Sequence, residues 1–219
     1  MLCSDWLNDA LFGIFNYGTF GGKDFIDSLN YHNLDARLTN NSFSYVLGGN
    51  LLSYVIMERT RMTPEEFAKT RIFPKLGITE DDYMWQKNRD GVSYGWHGLF
   101  MTVRAMAKLG MLYLQKGHSS ATDTIVEEDF LLDSTRGTDI NPGYGYNLWI
   151  VDEDYPNPST RHLAAGFGSN IVYVDETLGR VMALTSNNFV PALAGGEIDN
   201  SAQALMALVS DPTCSFQAV

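Results

Sequence analysis

The chain has 219 residues, of which 45% are hydrophobic and 12% aromatic, enough for a sizeable core in one domain or two closely packed lobes. Its 15 Lys and Arg residues against 26 Asp and Glu residues give a net charge of −11, which argues against nucleic acid or an anionic membrane as a partner. No apolar run approaches the roughly 20 residues that span a bilayer, and the first residues lack the basic region of a signal peptide. We therefore expect no membrane insertion, and the sequence leaves the compartment open.

Cysteine and histidine usage gives no sign of a metal. Cys3 and Cys214 lie near opposite ends of the sequence and can pair only if those ends meet, so free thiols in a reducing compartment are the simpler interpretation. The histidines are His32, His97, His118 and His162. Their positions lack the short paired spacing of zinc ligands. We expect neither a metal nor another cofactor.

The first third of the chain predicts short helices. KDFIDSLNYHNL at 23–34 is compatible with one of them. Residues 51–60 predict a buried helix with Leu51, Leu52, Val55 and Ile56 on one face. TPEE at 63–66 is a capping box with proline at the first helical position, and the helix that it begins should end near 73–74.

The strongest helix signal is GLFMTVRAMAKLGMLYLQKG at 98–117. Thr102 can cap this helix at its start, and Lys116 and Gly117 can end it. Apolar residues recur between these ends at helical spacing, at Val103, Met106, Ala107, Leu109, Leu112 and Tyr113. We interpret the Met and Leu stripe of 101–114 as core rather than as a cofactor site. A further helix is predicted over 126–133.

The pattern changes after about residue 141. YGYNLWIVDE at 144–153 alternates weakly, and NIVYVDETLGRVMALTSN at 170–187 predicts two strands around a Thr-Leu-Gly turn. DNSAQALMALVS at 199–210 predicts a closing helix. The fold class that follows is α+β, with a mainly helical subdomain over 1–140 and an antiparallel sheet plus a C-terminal helix over 141–219, packed as one unit.

Five segments in this order resemble the serine beta-lactamase-related family. They are FSYVLGGNLLSYVIMERT, EEFAKTRIFPKLGI, the 98–117 helix, YGYNLW, and AAGFGSNIVYVDETLGRVMALTSN, and together they cover most of residues 43–190. The family includes class C beta-lactamases, penicillin-binding-protein-like esterases and 6-aminohexanoate-dimer hydrolases. The resemblance implies a beta-lactamase/transpeptidase-like fold and hydrolysis of an ester or amide through an acyl-enzyme.

The resemblance implies a catalytic tyrosine at Tyr45. The family uses a Ser-x-x-Lys nucleophile, a Tyr-x-Asn motif whose tyrosine relays a proton to the leaving group, and a strand that completes an oxyanion hole. Tyr45 matches the family's tyrosine, and Leu47 stands where the family has asparagine. Leu47 therefore removes an amide that would hold substrate or the catalytic lysine.

The resemblance also implies one wall of a substrate cleft. Ala164, Ala165 and Gly166 match the family's Lys-Thr-Gly or His-x-Gly strand motif, and the backbone N–H of Phe167 would donate to the oxyanion. Alanine in place of the lysine argues against strong beta-lactamase activity, because that lysine helps to bind the substrate carboxylate. Trp96, which precedes the strongest helix, is assigned with these residues to substrate binding.

The nucleophile motif is absent from the sequence. No serine has a lysine three residues further on, and Gly-x-Ser-x-Gly is absent too. MLCSDW at 1–6 resembles the segment that follows the family's nucleophile helix. We therefore interpret the chain as the C-terminal portion of a longer family member, truncated at the N-terminus, whose substrate is a small ester, amide or peptide.

Other interpretations stay open. Tyr45 can be a packed aromatic residue with a satisfied hydroxyl, and Gly166 and Gly168 can mark a bend in a strand. The alternative function is a non-catalytic pseudoenzyme or binding module of the same fold. Such a chain would need self-association or a partner chain to complete its sheet, because an open sheet edge must be covered. An unrelated α+β binding domain is a third interpretation.

Overall fold

The computed structural model describes residues 48–152, 155–166, 168–186 and 200–214. The chain divides into two compact units, Met1–Met101 and Thr102–Val219. Helices and antiparallel strands occur in both units, which confirms the α+β fold class. The helix considered for 23–34 lies outside the described residues.

The described part of the first unit contains helices and one short ladder. Its elements are α1 (Gly48–Thr60), α2 (Pro64–Arg71), 3-10 turns at Pro74–Leu76 and Glu80–Asp82, and the strands β1 (Tyr83–Trp85) and β2 (Leu99–Met101), which pair antiparallel. The predicted capping box begins α2: the Glu66 backbone N–H donates to the Thr63 hydroxyl at 3.3 Å, and the Thr63 N–H donates to the Glu66 carboxylate at 2.8 Å. The helix prediction at 63–66 is confirmed.

The helix α1 forms as predicted, but its buried face is a different one. Leu52 and Val55 are 47% and 46% exposed, whereas Ser53 is 3% exposed. Gly49 and Ser53 lie four residues apart and so share a face of the helix, and the loop before β2 covers this face. The expected burial of Leu52 and Val55 was therefore wrong, because backbone packing at a glycine decided which face is covered.

The described part of the second unit contains helices and six strands. They are α3 (Val103–Leu114), β3 (His118–Ser120), β4 (Asp123–Thr124), α4 (Glu128–Ser134), β5 (Trp149–Ile150), β6 (Arg161–Gly166), β7 (Asn170–Asp175), β8 (Arg180–Leu184) and α5 (Asn200–Val209). The Thr102 hydroxyl accepts from the Ala105 N–H at 3.2 Å, so the predicted cap of α3 is confirmed. At the other end Lys116 and Gly117 have φ of 52° and 85°, and the Gly117 N–H donates to the Leu112 carbonyl at 2.9 Å.

Four of the described strands of this unit form an antiparallel sheet in the order β5-β6-β7-β8, and β3 pairs with β4 in a separate ladder. The predicted hairpin joins β7 to β8, and Asp175 pairs with Arg180 at its end. The Asp175 carboxylate accepts from the Thr177 hydroxyl at 2.5 Å and from the Leu178 N–H at 3.0 Å, which fixes the turn. Gly179 supplies the positive φ that closes the turn.

Helices cover both faces of this sheet. On one face α5 packs against a core of Leu163, Ile171, Tyr173, Ala202 and Val209. On the other face α3 packs against β7 and β8, and Gly110 lies against Val172 and Val181. Because side chains alternate along a strand, His162, Ala164 and Gly166 of β6 point to the face opposite the α5 core.

Short ladders occur in the part of the chain that was expected to be mainly helical. Both β1–β2 and β3–β4 lie before residue 140. The expected division at 140/141 stays a prediction. Cys214 is half-buried, while Cys3 lies outside the described residues, so their redox state also stays a prediction. Within the described ranges, no helix is long and apolar enough to cross a membrane.

Candidate functional site

The structure places the predicted site residues in three groups. Tyr45, Leu47 and Phe167 lie outside the described residues, so their assignments stay predictions. Trp96 belongs to the first unit. The predicted cleft-wall strand, residues 164–166, forms the end of β6 in the second unit.

Gly166 is an exposed strand end that packing does not require to be glycine. It pairs with Asn170 on β7. Among the described residues, a β-carbon built on Gly166 would meet nothing closer than the Asn170 carbonyl oxygen at 3.6 Å, which is ordinary van der Waals contact. An alanine would therefore fit the folded chain, and the missing side chain leaves a bare stretch of backbone at the surface.

The two alanines of the motif face opposite ways. Ala164 is exposed and shares the face of Gly166. Ala165 is half-buried and packs against the core beneath α5. The open surface at this end of β6 is thus made by Ala164 and Gly166, with no side chain larger than a methyl group.

The chain turns sharply after this strand. Gly168 and Ser169 both have positive φ, of 77° and 63°, and Asn170 begins β7. The bend considered for Gly168 is therefore present. Because residue 166 pairs with residue 170, β6 and β7 stay paired up to this connection.

His162, on the same face of β6, is completely buried. Neither ring nitrogen has a hydrogen-bond partner among the described residues, and the ring lies 4.9 Å from that of Tyr113 on α3. Burial, with a smaller contribution from the positive charge of Lys116, lowers the pKa of His162 to about 4. The imidazole is therefore neutral at neutral pH. Sequence reasoning missed this residue, because nothing local distinguishes it from the other histidines.

Trp96 lies in a well-organised loop between β1 and β2. The Gln86 N–H donates to the Gly98 carbonyl at 2.9 Å, and the Tyr94 N–H donates to the Gln86 carbonyl at 3.1 Å. The Trp85 indole N–H also donates to the Tyr94 carbonyl at 2.8 Å. These bonds hold the two sides of the loop together immediately beside Trp96.

Asn88 organises the tip of the same loop. Its side-chain oxygen accepts from the N–H groups of Asp90 and Val92 at 3.0 and 2.9 Å. Its side-chain nitrogen donates to the Tyr54 hydroxyl on α1 at 2.6 Å. The loop is thereby tied to α1 through one side chain. Burial raises the pKa of Tyr54, so this hydroxyl stays protonated.

The loop and α1 also meet through bare backbone. A β-carbon built on Gly49 would lie 2.7 Å from the Gly95 carbonyl oxygen and 2.9 Å from the β-carbon of Trp96. Both distances are shorter than real contacts of this kind, so only glycine fits. Trp96 is therefore held against the first turn of α1, and Tyr45 precedes that helix by three residues in the sequence.

His97 packs between aromatic rings of this loop. Its ring centroid lies 4.3 Å from that of Tyr94 and 4.6 Å from that of Trp96. Burial lowers the pKa of His97, so the ring is neutral at neutral pH. No group of three or more His, Cys, Asp or Glu residues that could hold a metal ion occurs within the described ranges.

Comparison with known proteins agrees with this architecture. The family model for Beta-lactamase matches residues 7–206, and the chain belongs to that family. Its fold is similar to that of a Bacillus anthracis protein provisionally named 6-aminohexanoate-dimer hydrolase, with a TM-score of 0.56 and 19% sequence identity. The match covers 77% of this chain and 43% of the neighbour, so the chain spans less than half of that protein's length. A search of curated protein sequences finds no match.

Proposed function

We propose that the chain carries the proton-relay tyrosine and one cleft wall of a serine hydrolase that cleaves an ester or amide through an acyl-enzyme. Membership of the beta-lactamase family supports this function. The observation that carries it is Gly166, an exposed strand end whose missing side chain is explained by no contact among the described residues. A bare backbone at such a point lets a substrate carbonyl lie directly against the strand.

In this proposal four residues contact the substrate and two take part in the chemistry. Ala164 and Gly166 form the wall beside the substrate, and the N–H of Phe167 donates to the oxyanion that forms when the carbonyl is attacked. Tyr45 relays a proton between the nucleophile and the leaving group. Trp96 and Leu47 contact the substrate, and the tight backing of Trp96 by α1 supports a fixed position for its ring.

We further propose that the nucleophile is not encoded in these 219 residues. No Ser-x-x-Lys occurs in the sequence, and the structural neighbour is more than twice as long as the part that matches. A Ser-x-x-Lys segment from outside this sequence would supply the attacking hydroxyl and its base. The substrate class is a small ester, amide or peptide. Ala164 offers no cation for a substrate carboxylate, which disfavours beta-lactams.

A non-catalytic binding module of the same fold is the second candidate. Leu47 favours it, because a leucine stands where the related family has its asparagine. In that case the surface of Ala164 and Gly166 binds a ligand without reacting with it.

The missing nucleophile is tested on the chain as it stands. The protein is incubated with a fluorophosphonate that reacts with activated serines, and its intact mass is measured. We expect no adduct on folded protein. A stoichiometric adduct would show that an activated serine exists within these residues, and the proposal of an external nucleophile would be wrong.

The hydrolase itself is tested on an extended chain that includes the in-frame coding sequence immediately upstream. If that sequence contains Ser-x-x-Lys, we expect a fluorophosphonate adduct and turnover of p-nitrophenyl acetate. Tyr45→Phe should lower kcat by about 100-fold or more, the usual contribution of a general acid–base group. Gly166→Val should raise KM, while Met84→Val at another exposed strand position should leave both constants unchanged. An extended, folded chain that bears the motif and turns nothing over would favour the binding module.

A further inference from the structure

His162 is a buried titratable group that the proposed chemistry does not use. Its side chain is 0% exposed, and among the described residues neither ring nitrogen donates or accepts a hydrogen bond. Buried histidines usually have at least one such partner, because each unpaired polar atom keeps the full cost of leaving water. The neutral ring therefore occupies an environment that suits an apolar side chain.

Among the described residues, no hydrogen-bond acceptor contacts either ring nitrogen of His162. Along the sheet it lies between Ile150 of β5 and Val174 of β7, both apolar. Above it lies the ring of Tyr113 on α3, whose hydroxyl shares a hydrogen bond with Ser134 on α4.

The charged groups nearby do not compensate a protonated ring. Lys116, which follows α3, places a positive charge close to His162. Glu176, after β7, is already paired with Lys116, and the buried Asp175 of β7 accepts from Thr177 in the turn. An imidazolium at this position would have no carboxylate partner among these groups and would add a second cation beside Lys116.

We propose that His162 is an acid-sensitive latch of the four-stranded sheet, which holds β6 beneath α3 while the ring is neutral and releases it when the ring is protonated. Protonation drives the ring out of the core, because the charged form can be solvated only in water. Ala164 and Gly166 lie on the same face of the same strand. The release therefore reaches the exposed strand end that carries the candidate site. This inference does not depend on the proposed hydrolase activity.

The direction in which pH changes the stability follows from the pKa values of His162 in the folded and the unfolded chain. Burial lowers the pKa of His162 to about 4 in the folded chain, against about 6.5 for an exposed histidine. Between these values the unfolded state binds more protons than the folded state, so stability falls as the pH falls from 6.5 to 4. The neutral His162 ring contributes its full stabilisation of the folded chain above about pH 6.5, and this contribution is completely lost below about pH 4. At pH 5 the unfolding equilibrium constant should be about 30-fold larger than at neutral pH from this group by itself.

The experiment measures urea unfolding of the full chain at about pH 5 and about pH 7.5. The wild type is compared with His162→Phe, which keeps an aromatic ring, and with His162→Gln, which keeps polarity without titrating. Carboxylates contribute the same slope to all three proteins, so the difference isolates His162. Between pH 7.5 and pH 5, we expect the unfolding equilibrium constant of the wild type to rise about 30-fold more than that of either variant. The matched control is His118→Gln, a half-buried histidine in the β3–β4 ladder, which should behave as the wild type.

Equal pH dependence in the wild type and the His162 variants would overturn the proposal. Should both variants fail to fold, the histidine ring resonances are titrated by NMR in a His97→Gln background, which removes the other histidine among the described residues whose pKa is lowered. One resonance with a midpoint near 4 is expected, and midpoints near 6.5 for every histidine would overturn the latch.

Hydrogen exchange of residues 161–166, corrected for intrinsic rates, should show loss of protection at the lower pH. Unchanged protection there would equally contradict it.

Discussion

The backbone of Gly95 packs directly against the backbone of Gly49, so that the loop carrying Trp96 touches the first turn of α1 without an intervening side chain. A β-carbon on Gly49 would lie 2.7 Å from the Gly95 carbonyl oxygen. A β-carbon on Gly95 would lie 2.5 Å from the Ser53 hydroxyl oxygen and closer still to the Gly49 carbonyl. The obstacles are mostly backbone atoms, which cannot move aside as a flexible side chain does.

We predict that Gly95→Ala destabilises the chain by about 1–3 kcal/mol, the usual cost of overfilling a packed contact. The free energy of unfolding in urea checks this. Gly166→Ala is the matched control, because its β-carbon meets the described residues only in ordinary contacts at 3.6 Å or more. Its stability should stay within about 0.5 kcal/mol of the wild type. Equal effects of the two substitutions would contradict the close contact.

Substitution of Ser53, in contrast to that of Gly95, should stabilise the chain. Its hydroxyl is buried, and among the described residues it has no hydrogen-bond partner. Ser53→Ala removes an unsatisfied polar atom and adds a better helix former, so we predict a gain of up to about 1 kcal/mol in the free energy of unfolding. The control is Ser134→Ala, since that buried hydroxyl donates to the Leu131 carbonyl at 2.7 Å and its loss should destabilise. A destabilised Ser53→Ala would show that the hydroxyl has a partner after all.

Asn88 offers a graded test of the loop. Tyr54→Phe loses only the bond from the Asn88 side-chain nitrogen, whereas Asn88→Ala loses all three. At about 0.5–1.5 kcal/mol for each lost hydrogen bond, Asn88→Ala should destabilise two to three times as much as Tyr54→Phe. Thermal or urea unfolding measures both variants, and a Tyr54→Phe variant as unstable as Asn88→Ala would contradict this order.

Local features of the fold could be predicted from the sequence. The capping box at 63–66, the cap at Thr102 and the turn between β7 and β8 each depend on residues within a few positions of one another. Such motifs depend on hydrogen bonds between residues of one short segment, so the sequence of that segment is enough to predict them. The boundaries of α3 were also predicted to within a few residues for this reason, and α5 lies within the segment 199–210 predicted from its composition.

Contacts between distant segments could not be predicted in the same way. The buried face of α1 depends on Gly95, which lies 46 residues after Gly49, and no periodicity within the helix reports it. His162 is likewise buried by elements from three other parts of the chain. For the candidate site, the family motif located the exposed end of β6 at Gly166, while Tyr45 lies outside the described residues and stays a prediction.

Arg180 gives a prediction about the end of α5. Its guanidinium donates to the carbonyls of Val209, Asp211 and Cys214 at 2.7, 2.8 and 2.7 Å, and so satisfies groups that a helix end leaves unpaired. Arg180→Ala should cost about 2–4 kcal/mol, because several charged hydrogen bonds are lost together. Arg180→Lys should recover only part of this, since an ammonium cannot span all three carbonyls.

Urea unfolding measures the loss for Arg180, and hydrogen exchange of residues 200–209 should show which helix is released. Arg136→Ala is the control, because its contact with Asp133 is an exposed pair at 3.6 Å. Exposed pairs contribute little, so that variant should lie within about 1 kcal/mol of the wild type. Full recovery by lysine would show that charge, rather than the three-way geometry, holds the helix end.

The contact between α3 and the sheet gives the last prediction. Gly110 lies inside α3, where alanine normally stabilises a helix by about 1 kcal/mol. Here a β-carbon would lie 2.6 Å from a Val181 methyl carbon and 2.8 Å from a Val172 methyl carbon. Valine side chains are stiff, so they cannot turn away without leaving their preferred rotamers. Gly110→Ala should therefore destabilise the chain by about 1–2 kcal/mol despite its helix propensity.

A double-mutant cycle separates the two opposing effects at Gly110. Val181→Ala by itself should destabilise the chain by about 1–3 kcal/mol, because it removes methyl groups packed between β8 and α3. In that background the clash with Val181 is gone while the Val172 methyl at 2.8 Å remains, so Gly110→Ala should destabilise less than it does in the wild type. The coupling free energy from urea unfolding of the four proteins should be about 1–3 kcal/mol in favour of the double variant. Additive effects would mean that α3 lies further from β8 than the geometry at Gly110 indicates.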